Sequence, residues 1–259
     1  MKSIAIRTGQ GGCKTSYNNG VMEAASELSG LGSRYWTEVI EVLRAIIPIY
    51  DKVNRVISLG RDEQYRLQGI RGRVIPGNIV LDSGSGYGNM SRLALAEARG
   101  EAKVVMYDPL LEMLANVNNY LIGSQPVLCS GVFEYMPFRE GIFDAVLCGY
   151  SLRDSIHLQQ AIKEMHRVLK VGGRLIIIDL GKPDNLVLRA MVSAYLKYFL
   201  AIFAYLIAGK AGLKFKTLYG TYLRWPKNSE LESILKEKFS HVQFDKGMMG
   251  GAVIIAAYK

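Results

Sequence analysis

Cysteine is scarce in this chain of 259 residues, which has only Cys13, Cys129 and Cys148, with no C-x-x-C pair among them. An odd, scattered set supplies neither a disulfide framework nor zinc-ligand spacing, so no metal is expected and a reducing, cytoplasmic setting fits best. Long apolar runs are missing as well. The longest uninterrupted one in the apolar stretch 186–213, Tyr198–Ala208, has 11 residues, short of the roughly 18 that a bilayer span needs. The opening MKSIAIRTGQGGCKTS is too weakly apolar for a secretory signal. Acidic residues are the minority charge: 32 Lys and Arg against 23 Asp and Glu give a net charge of +9. That sign favours an anionic contact, whether nucleic acid, anionic lipid or an acidic small molecule. Basic runs interleaved with aromatics are absent, as is any base-flipping N-P-P-Y-like motif, which argues against nucleic acid.

What is present is apolar side chain, 49% of the residues, enough for a sizeable buried core. Residues 1–40 are rich in Gly, Ser, Asn and Thr and read as an N-terminal extension to a domain spanning 41–259. Gly11–Thr15 has the outline of a phosphate loop, but Cys13 stands where that motif needs glycine. Between Tyr35 and Arg71 the period is helical, with Trp36, Val39, Ile40, Leu43 and Ile47 on one face. Strands and helices then alternate. The pattern predicts strands at 79–81, 103–107, 126–128, 143–148 and 174–179, and helices at 90–98, 110–121 and 158–169. Two last strands, 241–244 and 252–257, flank a glycine-rich link. The expectation is a Rossmann-like α/β fold, a mostly parallel sheet with an antiparallel C-terminal hairpin and helices on both faces.

The stretch Ile79–Met90, IVLDSGSGYGNM, marks the ligand end of the first strand. Its glycines run G-x-G-x-G and not G-x-G-x-x-G, and Asp82 precedes them. A carboxylate there repels a pyrophosphate but attracts an ammonium group, which favours S-adenosylmethionine (SAM) over a dinucleotide. About twenty residues beyond Gly88, KVVMY ends in Asp108, placed to accept hydrogen bonds from both ribose hydroxyls.

These segments resemble the class I SAM-dependent methyltransferases. LDSGSGYG, VVMYDP, EYMPFREGIFDAVLCGYSLRD and HRVLKVGGRLIIID carry the likeness. Their flanks, YDKVNRVISLGRDEQYR (50–66), SLRD (151–154), Tyr222–Pro226 and MGGAVIIAAYK (249–259), resemble the ubiquinone/menaquinone biosynthesis C-methyltransferases. The chain departs from that pattern at Val132, which replaces an acid or amide expected on adenine, and at Tyr87, Asn89 and Asp154. The resemblance implies cofactor contacts from Asp82, Gly84, Ser85, Gly86, Gly88, Asp108, Pro109, Val132, Phe133 and Gly149. It implies substrate contacts from Tyr50, Asn54, Tyr195, Phe199 and Tyr222, with a helical insertion at 183–226 covering the substrate.

The activity so implied is transfer of a methyl group to a ring carbon of a prenylated quinol precursor. The alternatives are another hydrophobic small molecule or lipid as acceptor and, behind it, an RNA-binding methyltransferase. A ring carbon becomes nucleophilic once a ring hydroxyl is deprotonated, so the site needs a base or an oxyanion stabiliser. Arg153 stays protonated and is assigned to the oxyanion, which leaves Asp154, His157 or Tyr50 to take the proton. A surface ion pair or helix cap is the structural alternative for Arg153 and Asp154. The apolar stretch Leu186–Leu213, with Lys197, Lys210, Lys214 and Lys216 around it, reads either as core or dimer helix or as a lid seated on the inner face of a membrane.

Overall fold

The computed structural model describes residues 30–46, 55, 58–115, 126–199 and 216–259. Within them, helix α1 (Ser33–Ile46) leads to α2 (Asp62–Ile70), then β1 (Ile79–Ser83), α3 (Asn89–Glu97), β2 (Lys103–Asp108) and α4 (Leu111–Ala115). β3 (Val127–Ser130), β4 (Phe143–Gly149), a 3-10 turn (Leu152–Asp154), α5 (Leu158–Val168) and β5 (Leu169–Leu180) follow. The chain continues through α6 (Leu186–Ala194), α7 (Lys216–Arg224), α8 (Asn228–Lys236), β6 (His241–Gly247) and β7 (Ala252–Tyr258). A π-helical turn, Tyr195–Phe199, extends α6.

The strands form one sheet of seven in the order β3-β2-β1-β4-β5-β7-β6. β1 to β5 are parallel, and β7 runs antiparallel to both β5 and β6. This is the expected Rossmann-like arrangement. The strand order reverses between β1 and β4, so a crevice opens beyond the carboxyl ends of these strands.

Alternate residues of the central strands feed two cores, because side chains point to opposite faces with period two. Leu81, Val146, Leu175 and Ile177 pack with Ile162 and Met165 of α5 and with Leu231 and Leu235 of α8. Val80, Leu147, Ile176 and Ile178 pack with Ile70 of α2 and with Leu93 and Ala94 of α3. Burial on both faces explains why these strands read as continuous apolar runs.

Boundaries differ from expectation in three places. α5 ends at Val168 and β5 begins at Leu169 with no loop between them, because Leu169 already pairs with Phe143 ahead of a bulge. β3 runs later than expected, to Ser130, since its partners are Val105–Asp108 of β2. The helix expected over 110–121 is described only at Leu111–Ala115, and its remainder lies outside the described residues. The extension expected over residues 1–40 gives way to helix α1 at Ser33.

Candidate active site

β1 delivers the chain to a turn in which Gly84, Gly86 and Gly88 all have positive φ, at 69°, 52° and 89°. A side chain on Gly84 would collide with the Ser151 hydroxyl and the Phe133 ring. Gly88 then caps α3, whose N-terminus points toward the crevice side of the sheet. Asp82 is fully buried and turned toward that helix, with Oδ2 accepting from the Ser91 backbone N–H at 2.9 Å and its hydroxyl at 2.6 Å. Its Oδ1 is buried without a hydrogen-bond partner among the described residues. Burial pushes the carboxyl up to about 6.

Across the turn stands Asp108. Its Oδ2 accepts from Gly86 N–H at 2.9 Å and its Oδ1 from Leu110 N–H at 2.8 Å, which fixes the carboxylate at the mouth of β2. Burial raises it to about 6 as well. The Tyr107 hydroxyl donates to the carbonyl of Val132 at 2.8 Å and so holds the segment Val132–Glu134 against the same opening. Glu134 in turn accepts from the backbone N–H of His157, the residue that caps α5.

Together these groups wall a cavity. Ser85, Gly86, Asp108, Pro109, Val132, Phe133, Gly149 and Asp154 form one side, and Trp36, Ile40 and Leu43 of α1 close it from above. The backbone N–H groups of Leu31 and Gly32 donate to Ser155 and Ile156, and Arg44 pairs with Glu112 at 2.9 Å, so α1 is clasped at both ends. The Arg224 guanidinium lies 3.8 Å from the centre of the Tyr35 ring and adds a third tie.

The sequence profile of the ubiE/COQ5 methyltransferase family matches residues 31–259. The chain belongs to that family. It is 28% identical over 214 residues to the ubiquinone/menaquinone biosynthesis C-methyltransferase UbiE of Syntrophotalea carbinolica, covering 81% of this chain and 89% of that one. It is 28% identical over 228 residues to a demethylmenaquinone methyltransferase of Symbiobacterium thermophilum, covering 83% and 90%. A SAM-dependent methyltransferase of Thermotoga maritima, a possible histamine N-methyltransferase, shares the fold with a TM-score of 0.59 at 16% identity, covering 87% of this chain and 99% of that one.

As a member of the ubiE/COQ5 family the chain is a SAM-dependent methyltransferase. The cavity fits that cofactor. A carboxylate stands at the end of β2 for a ribose, apolar groups lie beside Val132 and Phe133 for a purine, and the glycine turn leaves room for close approach.

The residues expected in the site divide into three groups. Gly84, Ser85, Gly86, Asp108, Pro109, Val132, Phe133, Gly149 and Asp154 line the cavity, while Asp82 and Gly88 support the turn from behind. Tyr50 and Asn54 lie outside the described residues. The substrate residues expected further along do not reach the cavity. Tyr222 is buried beneath Lys182, whose ammonium is 5.8 Å from the ring centre, and Tyr195 stacks on a largely exposed Phe199.

Arg153, expected to stabilise an oxyanion, is not among the residues that line the cavity. Its Nη1 meets Asp179 Oδ1 at 2.6 Å with both side chains buried, and its Nε lies 3.8 Å from Asp154 Oδ1. The 3-10 turn aims the guanidinium into the end of β5 while Asp154 faces the opening. Arg153 therefore lies between the carboxylates of Asp179 and Asp154. Burial pushes Asp154 up to about 6, against the pull of Arg153. Sequence reasoning missed Arg66, Ser151 and Met113 as lining residues and gave α1 no part in the site.

Proposed function

We propose that this chain methylates a ring carbon of a prenylated quinol precursor of the menaquinone or ubiquinone type. The observation that carries this reading is the cavity's composition: an apolar and aromatic wall of Trp36, Ile40, Leu43 and Met113 together with the carboxyl of Asp154, in a cavity whose other carboxyls, Asp108 and Glu134, stand on the nucleoside side. Such a wall suits a flat aromatic acceptor, and the carboxyl suits its acidic hydroxyl. The names carried by the relatives above agree with it. When bound, SAM supplies a methyl group on a sulfonium.

The chain's own part is to position the acceptor and to move a proton. Asp154 Oδ1 has no hydrogen-bond partner among the described residues. With a value near 6 the carboxylate is charged at neutral pH and takes the proton of the ring hydroxyl, which spreads negative charge onto the adjacent ring carbon. Arg153, tied to Asp179, holds Asp154 in place and limits the charge build-up there.

The isoprenoid tail leaves along α6, where Leu186, Val187 and Met191 are exposed, and continues past Tyr198 and Phe199. Among the described residues no helix is long and apolar enough to cross a membrane. This exposed apolar face, with Lys197 beside it, seats the protein on an anionic surface from one side. The direct test incubates the purified chain with SAM and a short-prenyl quinol lacking the ring methyl. The expected product is heavier by one methylene, with the new methyl on a ring carbon by NMR. Methylation on oxygen, or turnover only with a non-aromatic lipid, would reject the reading.

A further inference from the structure

Arg66 lies four residues before the apolar Ile70 that anchors α2 to the sheet, and its own side chain is turned inward and only 5% exposed. It lines the cavity. Its guanidinium lies 4.8 Å from the centre of the Tyr150 ring, and it forms no ion pair and no side-chain hydrogen bond among the described residues. A buried guanidinium with five donors and no acceptor is costly unless something arrives to meet it. The chain also makes space for it. A Cβ on Gly149 would lie 2.7 Å from Arg66 Nη1.

The position indicates which part of a ligand that would be. Asp108 and the Val132–Phe133 segment, the nucleoside side, lie at the ends of β2 and β3, on one flank of β1. Arg66 and Gly149 lie on the other flank, at the end of β4. A nucleoside anchored at Asp108 therefore sends its 5′ substituent over the glycine turn toward Arg66. That substituent in SAM is an amino acid, with one carboxylate and one ammonium group. We infer that Arg66 is the counter-charge for the α-carboxylate of the cofactor's methionine end. This rests on the SAM assignment and adds to it the residue that reads the amino-acid end. Asp82, buried behind the turn with an Oδ1 that has no hydrogen-bond partner among the described residues, puts a negative charge behind the same turn for the ammonium side. A zwitterion thus meets a matched pair.

Calorimetry on the full chain tests this with three ligands: S-adenosylhomocysteine, its decarboxylated analogue and 5′-methylthioadenosine, which lacks the amino acid. The unaltered protein should bind the decarboxylated analogue on the order of tenfold to a hundredfold more weakly than S-adenosylhomocysteine, the loss of a charge-assisted contact. Arg66→Met should weaken S-adenosylhomocysteine by the same factor, leave 5′-methylthioadenosine within about twofold, and bind the first two ligands equally. Arg66→Lys should recover part of the loss, since an ammonium keeps the charge without the planar fork. Equal affinity of the unaltered protein for the acid and its decarboxylated analogue overturns the inference and leaves the cofactor assignment standing. Binding of none of the three overturns both. The comparison on unaltered protein needs no variant to fold, and equal weakening of all ligands by Arg66→Met would count the residue as structural and reject the pairing.

Discussion

Asp154 shows how a single buried acid couples stability to chemistry. Its folded value near 6 lies above the ordinary 3.8, so the folded protein holds this proton more tightly than the unfolded chain does. The sign follows: stability falls as pH rises from about 4 to about 6 and is level beyond, the reverse of an ion-paired surface carboxylate. Asp82 and Asp108 act in the same direction. Asp154→Asn should therefore match the parent in thermal unfolding near pH 4 and exceed it near pH 7, while losing on the order of a hundredfold in turnover if this carboxyl takes the proton. A variant with unchanged turnover moves the base elsewhere. Asp179→Ala is different in kind. It removes the nearer carboxylate from the buried Arg153 guanidinium, leaving Asp154 at 3.8 Å, and should cost about 3 kcal/mol in denaturant unfolding. Much of this was legible in sequence, since Asp82 and Asp108 stand out by spacing and SLRD by its resemblance to the family's pattern. What spacing could not give was direction. Arg153 and Asp154 are neighbours in the chain, yet a 3-10 turn sends one side chain under the sheet end and the other to the cavity.

At the scale of elements, α1 closes the cavity with Trp36, Ile40 and Leu43, all on one helical face and each partly buried. That periodicity was readable, but its target was not, because nothing in an amphipathic pattern says which surface it will cover. Trp36→Ala removes aromatic contact from the acceptor's side of the cavity. Its kcat/KM for a quinol should fall about tenfold, with S-adenosylhomocysteine affinity altered by less than about threefold. Comparable losses in both would make α1 a cofactor lid and no acceptor wall. α6 carries the other element-scale expectation. Leu186 is 71% exposed and Val187 66%, so Leu186→Glu with Val187→Glu should reduce sedimentation with anionic vesicles without lowering thermal stability. Vesicle binding that survives both changes would place the membrane contact on another face. The fused α5–β5 junction could not be foreseen, because the bulge at Phe143–Ala145 sets where β5 starts pairing.

At the scale of the molecule, the described residues form a switch-point sheet with three buried carboxyls, Asp82, Asp108 and Asp154, at its crevice end. The alternation of strands and helices made that architecture legible, since burial on both faces of β4 and β5 leaves an unbroken apolar run in each. A ligand that binds only the folded chain must raise its unfolding temperature. S-adenosylhomocysteine at about a hundred times its dissociation constant should add roughly 2.7 kcal/mol, and NAD should add nothing. A shift with NAD alone would undo the cofactor assignment at the level of the fold. The position of β7 has a further consequence, in time. β7 follows β6 in the chain but lies between β5 and β6, pairing over its full length with both. During vectorial synthesis β1 to β5 emerge with the cofactor end already encoded, while the far edge of β5 stays open and β6 has nowhere to dock. Assembly must wait for Ala252–Tyr258, and a chain stalled before them would leave β5, paired only with β4, as an open edge strand at Ile176–Ile178, where proteases and chaperones find it.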